Sequence, residues 1–374
     1  MSSKIGQIQG IRALAIFSVF VTHTSIWLGD DLGWFAPIAA QLGSAGVVAF
    51  FLLSGFLLSY KQNVVPELNG KQIIMTAWGK VSKMYGLYLL TMFVTFLAKC
   101  PSTPKGWIQA LICLPFHLSI TQAFVPISWV THAFNGPAWF LSALFGIWIL
   151  IYLCRDYINK ILGASSKKSL AVICCLLGFQ LIWLLFANKV IHPFLSRDHC
   201  LLWFYDWLIY SSPILCFSEH VIGIALGQIC LRNKLSIRMQ NLLAVVATCM
   251  VLTFMGKVAV HAKIVVPWIV IVECIVCVGI IAVISPQSIG CKILSWRPLV
   301  WFGDISGYFF LIHGAVNYVM LSTIADYIPK PWLFFVALSI SILLSACAGQ
   351  YYNRKSSSII TNNEKSKRVN NQRS

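Results

Sequence analysis

The chain has 374 residues, 58% of them apolar and only 10% charged, and 28 Lys/Arg against 11 Asp/Glu give a formal charge of +17. A soluble domain carries about 25% charged residues, so there is too little polar side chain here to cover soluble surfaces. A soluble enzyme, a disordered chain and a secreted disulfide scaffold are all disfavoured, which leaves an all-α, multi-pass membrane protein.

A spanning helix needs about 20 mostly apolar residues. In chain order such stretches fall at 11–28, 40–60, 84–98, 138–154, 169–187, 214–231, 241–257, 264–285, 302–322 and 332–350. A further apolar stretch, 106–120, is short and contains Pro115 and His117, and it is expected to be an interfacial or re-entrant piece of a long outer loop. With ten spans and the N-terminus inside, both termini are cytoplasmic. Twenty-one basic residues then face the cytoplasm, and only Lys99, Lys105, Lys189, Arg197, Lys257, Lys263 and Lys330 face the other side. That is the positive-inside bias, and an eleventh crossing at 106–120 would abolish it. The charge thus predicts orientation in a bilayer and gives no argument for a nucleic-acid partner.

Residues 1–352 read as one transmembrane domain, and 353–374 as a basic cytoplasmic tail, expected to be disordered and close to anionic headgroups. Most of the thirteen cysteines sit in apolar runs, where a thiol packs as a small hydrophobe. Cys274-x-x-Cys277 lies inside a predicted span with no second pair or histidine to complete a zinc site, so no metal is expected. Cys200 lies in an outer segment with no assignable disulfide partner.

The first span carries the chemistry. Arg12 and His23 are eleven residues apart, roughly 1,100° of helix rotation or about 20° beyond three full turns, so both project from one face about 16 Å apart. An ionisable group as deep as His23 is costly and a functional candidate by default. The bland alternative is a neutral imidazole bonded to a neighbouring helix. A cation at the membrane surface suits a phosphate, and an imidazole on the same stripe suits chemistry at the far end of a long thin ligand. Coenzyme A has that shape, and imidazole can act as a base toward a hydroxyl or carry an acyl group itself.

Six blocks in order carry a family resemblance. They are Gly10-Ile11-Arg12-Ala13-Leu14-Ala15 with His23; Gly43-Ser44-Ala45-Gly46-Val47 leading to Phe50-Phe51-Leu52-Leu53-Ser54-Gly55-Phe56; and Lys80-x-x-Lys83 with Tyr85. Pro137-Ala138-Trp139-Phe140-Leu141-Ser142 follows, then Ser212-Pro213 with Glu219 and Gly223, then Phe302-Gly303-Asp304-Ile305-Ser306-Gly307-Tyr308 leading to His313. Together they cover residues 9–315 and resemble the membrane acyltransferase 3 family. The resemblance implies a ten-helix enzyme of the cell membrane. Such an enzyme moves an acyl group from cytoplasmic acyl-CoA, with acetyl-CoA the expected donor, to a hydroxyl of a cell-surface or lipid-linked carbohydrate. It places the family's histidine at His23 and its arginine at Arg12, and it gives Lys80 and Lys83 as further phosphate contacts. Three departures stand out. Lys80 and Lys83 replace paired arginines and lose the bidentate fork. Ala143, Leu144 and Phe145 leave no acid where many members have a Glu, and Cys216 stands where an Arg is frequent.

The remaining candidates each have a bland reading. Glu219, beside His220, is either a helix-start carboxylate at the positive end of the dipole or a supporting site residue. Glu273 lies well inside the eighth predicted span, outside any family block. His313 is divided between a structural hydrogen bond and a supporting role, and Trp139 between an interfacial anchor and a wall of the site. Ser54-Gly55 is expected to allow close packing around the first span. His117, His132, His192, His199 and His261 show no ligand spacing and read as solvent or interface residues. The competing functional classes are a non-enzymatic exporter of a glycan or lipid intermediate, with His23 in a polar path, and a structural partner in polysaccharide synthesis.

Overall fold

In the computed structural model, residues 5–62, 65–195, 199–260 and 268–371 are described, and all regular structure among them is helical. The long helices are α1 (Gly6–Leu28), α2 (Ala36–Gln62), α3 (Gly70–Ala98), α4 (Pro104–Leu118) and α5 (Trp139–Leu153). They continue with α6 (Ser166–Phe186), α7 (Pro213–Arg232), α8 (Ile237–Val260), α9 (Trp268–Ala282), α10 (Arg297–Thr323) and α11 (Lys330–Asn371).

Nine of the ten expected spans are matched among the described residues by helices long and apolar enough to cross a membrane. The eighth is matched by α9, which at 15 residues is about 22 Å long. Residues 261–267 before it, with His261 and Lys263, lie outside the described residues, as do Arg197 and the side chains of His199 and Cys200. The 106–120 stretch forms α4, 15 residues long and capped by the Thr103 hydroxyl. Its outer face leaves Trp107, Ile108, Leu111 and Ile112 exposed while Cys113 and His117 turn inward. Helix α11 shows no break at the expected boundary of 353 and runs on to Asn371.

Helix α3 starts much earlier than residue 84. Asn69 and Gln72 form a reciprocal capping box, side chain to backbone amide at both ends. Lys80 and Lys83 therefore lie well inside α3 instead of at its mouth. Helix α7 begins where Ser212 accepts from the Ile214 amide and Pro213 takes the first helical position.

At the centre, α2 lies between α1 and α7, and α1 also packs on α10, which α3 and α11 flank. Small residues set these approaches. A Cβ at Gly46 would collide with the Ala15 carbonyl of α1, and one at Gly55 with the His220 carbonyl of α7. The expectation that Ser54-Gly55 packs on the first span is thus corrected. Gly55 fits α2 to α7, and the contact with α1 falls two to three turns earlier, because opposite faces of α2 meet the two neighbours. Helix α8, by contrast, buries very little of its length.

Candidate active site

Helices α1 and α10 run parallel. The charge of Asp304 acts on Arg12, Phe20 meets Phe309 edge-on at 5.7 Å, and His23 meets His313, so numbers rise together along both helices. This register brings two imidazoles into one layer. Nδ1 of His23 lies 2.9 Å from Nε2 of His313, and Nδ1 of His313 lies 2.9 Å from the carbonyl oxygen of Phe309.

A carbonyl only accepts, so His313 Nδ1 carries a hydrogen and donates it. In the neutral ring His313 Nε2 is then bare and accepts from Nδ1–H of His23. That tautomer leaves the lone pair of His23 on Nε2, and it is set by the second nitrogen's bond. Packing fixes the pair as well. Phe309 stacks on His313 at 5.7 Å and Phe20 meets it edge-on at 6.3 Å. His313 is completely buried, whereas His23 keeps part of its surface exposed.

On the Arg12 side of this layer lies a cavity of about 250 Å³ whose polar lining is Arg12, Lys80, Ser54 and Ser306. Its apolar lining includes Phe50, Phe140 and Phe310, packed ring to ring at 5.0–6.2 Å, and Phe310 also touches His313 at 6.0 Å. Arg12 is steadied by Gln9, whose Oε1 accepts from its guanidinium at 3.3 Å, and its Cζ lies 6.0 Å from the Phe50 ring centre. Lys80 Nζ lies over Trp148 at 4.6 Å and near Tyr152 at 5.4 Å, a cation held by aromatic faces. The chamber thus offers two cations, two hydroxyls and an apolar lining whose Phe310 ring meets His313 of the histidine pair.

The other sequence candidates are distributed elsewhere. Lys83 is exposed and does not line the cavity. The Tyr85 hydroxyl donates to the Leu118 carbonyl at 2.7 Å, tying α3 to the end of α4. Trp139 is buried against Phe51, Tyr210 and His132, behind the cavity wall. Glu219 is not a helix-start carboxylate. It sits almost two turns into α7, buried, and its charge interacts with that of Glu273 on α9. Leu144, within the acid-free stretch Ala143-Leu144-Phe145, lines the cavity with a side chain that cannot take a proton.

The outer histidines also need correcting. His117 is fully buried, with Nε2 at 2.9 Å from the Val130 carbonyl, and the Tyr88 hydroxyl donates to its own carbonyl at 2.8 Å. Burial pushes its imidazole down to about 4, partly opposed by the bond to Val130. Burial likewise lowers His132, which lies between Trp139 and Tyr210. Ser306 and the Phe50–Phe140–Phe310 wall carried no signal of their own. Each lay within a quoted block, and only the fold shows that they share a chamber.

The profile of the acyltransferase 3 family, described as an acyltransferase domain, matches residues 5–349, nearly the whole chain. This chain belongs to the acyltransferase 3 family. Acyl transfer is the activity that the family's description names, and the long apolar helices make this member a multi-pass membrane protein. Among curated proteins, the chain is 26% identical over 240 residues to "Acyltransferase MdmB" of Streptomyces mycarofaciens, covering 60% of this chain and 57% of that protein. The chain thus spans little more than half the length of this relative. No solved structure matches it significantly.

Proposed function

We propose that this protein is an integral-membrane O-acyltransferase of the plasma membrane. It moves an acetyl group from cytoplasmic acetyl-CoA to a hydroxyl of a cell-surface or lipid-linked carbohydrate. The observation that carries this reading is the chamber with Arg12 and Lys80 in its lining and with Phe310 of that lining against His313, the partner of His23. Two cations suit the phosphates of the donor, and the apolar lining suits its pantetheine arm. A cation is held without a bidentate fork at Lys80, so it meets a phosphate as a point charge.

In the reaction, Nε2 of His23 takes the proton of the acceptor hydroxyl as the oxygen attacks the thioester carbonyl. The tetrahedral oxyanion collapses, the carbon–sulfur bond breaks, and the departing thiolate recovers the proton from His23. His313 holds the reactive tautomer and spreads the transient charge toward the Phe309 carbonyl. Arg12 and Lys80 hold the donor in place, and no residue of the chain needs to change its net charge over a cycle.

The reading is tested with membrane vesicles carrying the full chain, supplied with labelled acetyl-CoA on the cytoplasmic side, and with mass spectrometry of surface glycans. Acetylated glycan and free CoA in equal amounts are expected. Movement of a glycan across the membrane without CoA release would instead establish the exporter.

A further inference from the structure

The parallel register of α1 and α10 fixes what lies in the next layer. One turn beyond His23 on α1 is Trp27, and one turn beyond His313 on α10 is Asn317. Residues four apart share a helix face with Cβ atoms about 5–6 Å apart, so Trp27 and Asn317 continue the seam on which the imidazoles meet. This layer lies on the side away from Arg12 and Asp304.

Both side chains have unfilled hydrogen bonds. Asn317 is only 5% exposed, yet neither its amide nitrogen nor its amide oxygen has a partner among the described residues. The Trp27 indole nitrogen is buried and also lacks a partner among the described residues. Leaving a buried polar group unpaired is costly, and native structures rarely contain one without a reason. Two donor groups and one acceptor are thus left unfilled among the described residues, one helical turn beyond the imidazole layer.

We infer that Trp27 and Asn317 form the acceptor subsite of this enzyme and take a hydroxyl-bearing substrate, a polyol or sugar. The inference rests on the acyl-transfer reading. The Asn317 amide supplies a donor and an acceptor, the pair that matches a hydroxyl group, and the Trp27 N–H supplies a second donor. A sugar held there presents a neighbouring hydroxyl to His23 Nε2 from the face opposite the donor chamber. The two substrates therefore approach the imidazole from opposite ends of the α1–α10 seam. No bond beyond that of the acyl transfer itself is made or broken.

The test uses native membranes carrying the full chain, whose own glycans and lipids serve as the acceptor pool, with labelled acetyl-CoA as the probe. Asn317→Ala and Trp27→Phe are compared with the parent for incorporated label. The purified proteins are compared for acetyl-CoA affinity and melting temperature. Asn317→Ala is expected to lower label incorporation at least tenfold and Trp27→Phe severalfold. Acetyl-CoA affinity should stay within twofold, and the melting temperature of Asn317→Ala should be unchanged or raised, because an unpaired buried group is removed. That last readout separates the subsite from a structural role, which would lower stability and activity together. Full incorporation by Asn317→Ala, or a loss that tracks a falling melting temperature, overturns the subsite alone. Parent membranes that take up no label and release no CoA overturn the acyl-transfer reading, and the subsite with it.

Discussion

Nδ1 of His23 and Nε2 of His313 lie 2.9 Å apart, and the only free lone pair this chain of bonds leaves on the two rings is at Nε2 of His23. On the proposed reading the second histidine does for the first what a carboxylate does in many catalytic sites, without adding a charge inside the membrane, where an unpaired carboxylate would be costly.

On the proposed reading, His313 is a positioning residue. His313→Phe keeps the packing against Phe20 and Phe309 but removes the acceptor, and it is expected to lower kcat by about 10²-fold with little change in KM for the donor. His313→Gln, which retains an acceptor oxygen, should recover part of the rate. Equal rates for the Phe and Gln variants would show that only packing matters at this position.

The two lysines of the Lys80-x-x-Lys83 block should behave differently. Lys80 lines the chamber and Lys83 does not. Lys80→Ala is expected to raise the KM for acyl-CoA about tenfold, roughly 1.4 kcal/mol of binding, and Lys83→Ala to change it less than twofold. Matching losses at both positions would place the phosphates outside this chamber.

Acid should loosen the α4 region before the rest. Burial lowers His117 from an ordinary value of 6.5 to about 4, so between those values the unfolded chain binds a proton that the folded chain refuses. Stability is full above pH 6.5 and falls as the pH drops toward 4, by at most about 1.4 kcal/mol per pH unit. Hydrogen exchange of residues 104–131 at pH 7 and pH 5 reads this directly. His117→Gln should flatten the dependence, and an unchanged slope in that variant would assign it elsewhere.

Helix packing gives a fourth test. A side chain at Gly55 would enter the backbone of α7 at His220, so Gly55→Val should cost about 1–3 kcal/mol or more and lower the melting temperature in detergent. Gly79, with open space around its missing Cβ, should accept Ala without loss. A Gly55→Val protein as stable as the parent would mean that α2 and α7 are less closely apposed.

Much of this architecture was legible in the residues. Length and hydropathy located the spans because a bilayer demands about 20 apolar residues whatever the fold. The stripe of Arg12 and His23 followed from helical geometry alone. The start of α3 was missed because its first turns are polar, although the Asn69–Gln72 capping box marks it. The partnership of His23 with His313 could not be read, since 290 residues separate them and no periodicity links distant helices. For the same reason the sequence could pair Lys80 with Lys83 by spacing, but could not show that Trp148 and Tyr152 would hold only the first. The span at 214–231 begins within one residue of α7, but nothing in the sequence links Glu219 to Glu273, the carboxylate of α9 whose charge acts on it.

The most direct measurement of the central claim is single-turnover transfer of label from acetyl-CoA by the full chain in liposomes with native acceptor lipid, comparing the parent with His23→Ala. The parent is expected to transfer label and release CoA. His23→Ala is expected to bind acetyl-CoA with unchanged affinity and to transfer label at least about 10²-fold more slowly. Transfer by His23→Ala at the parent rate would contradict the assignment of His23 as the base.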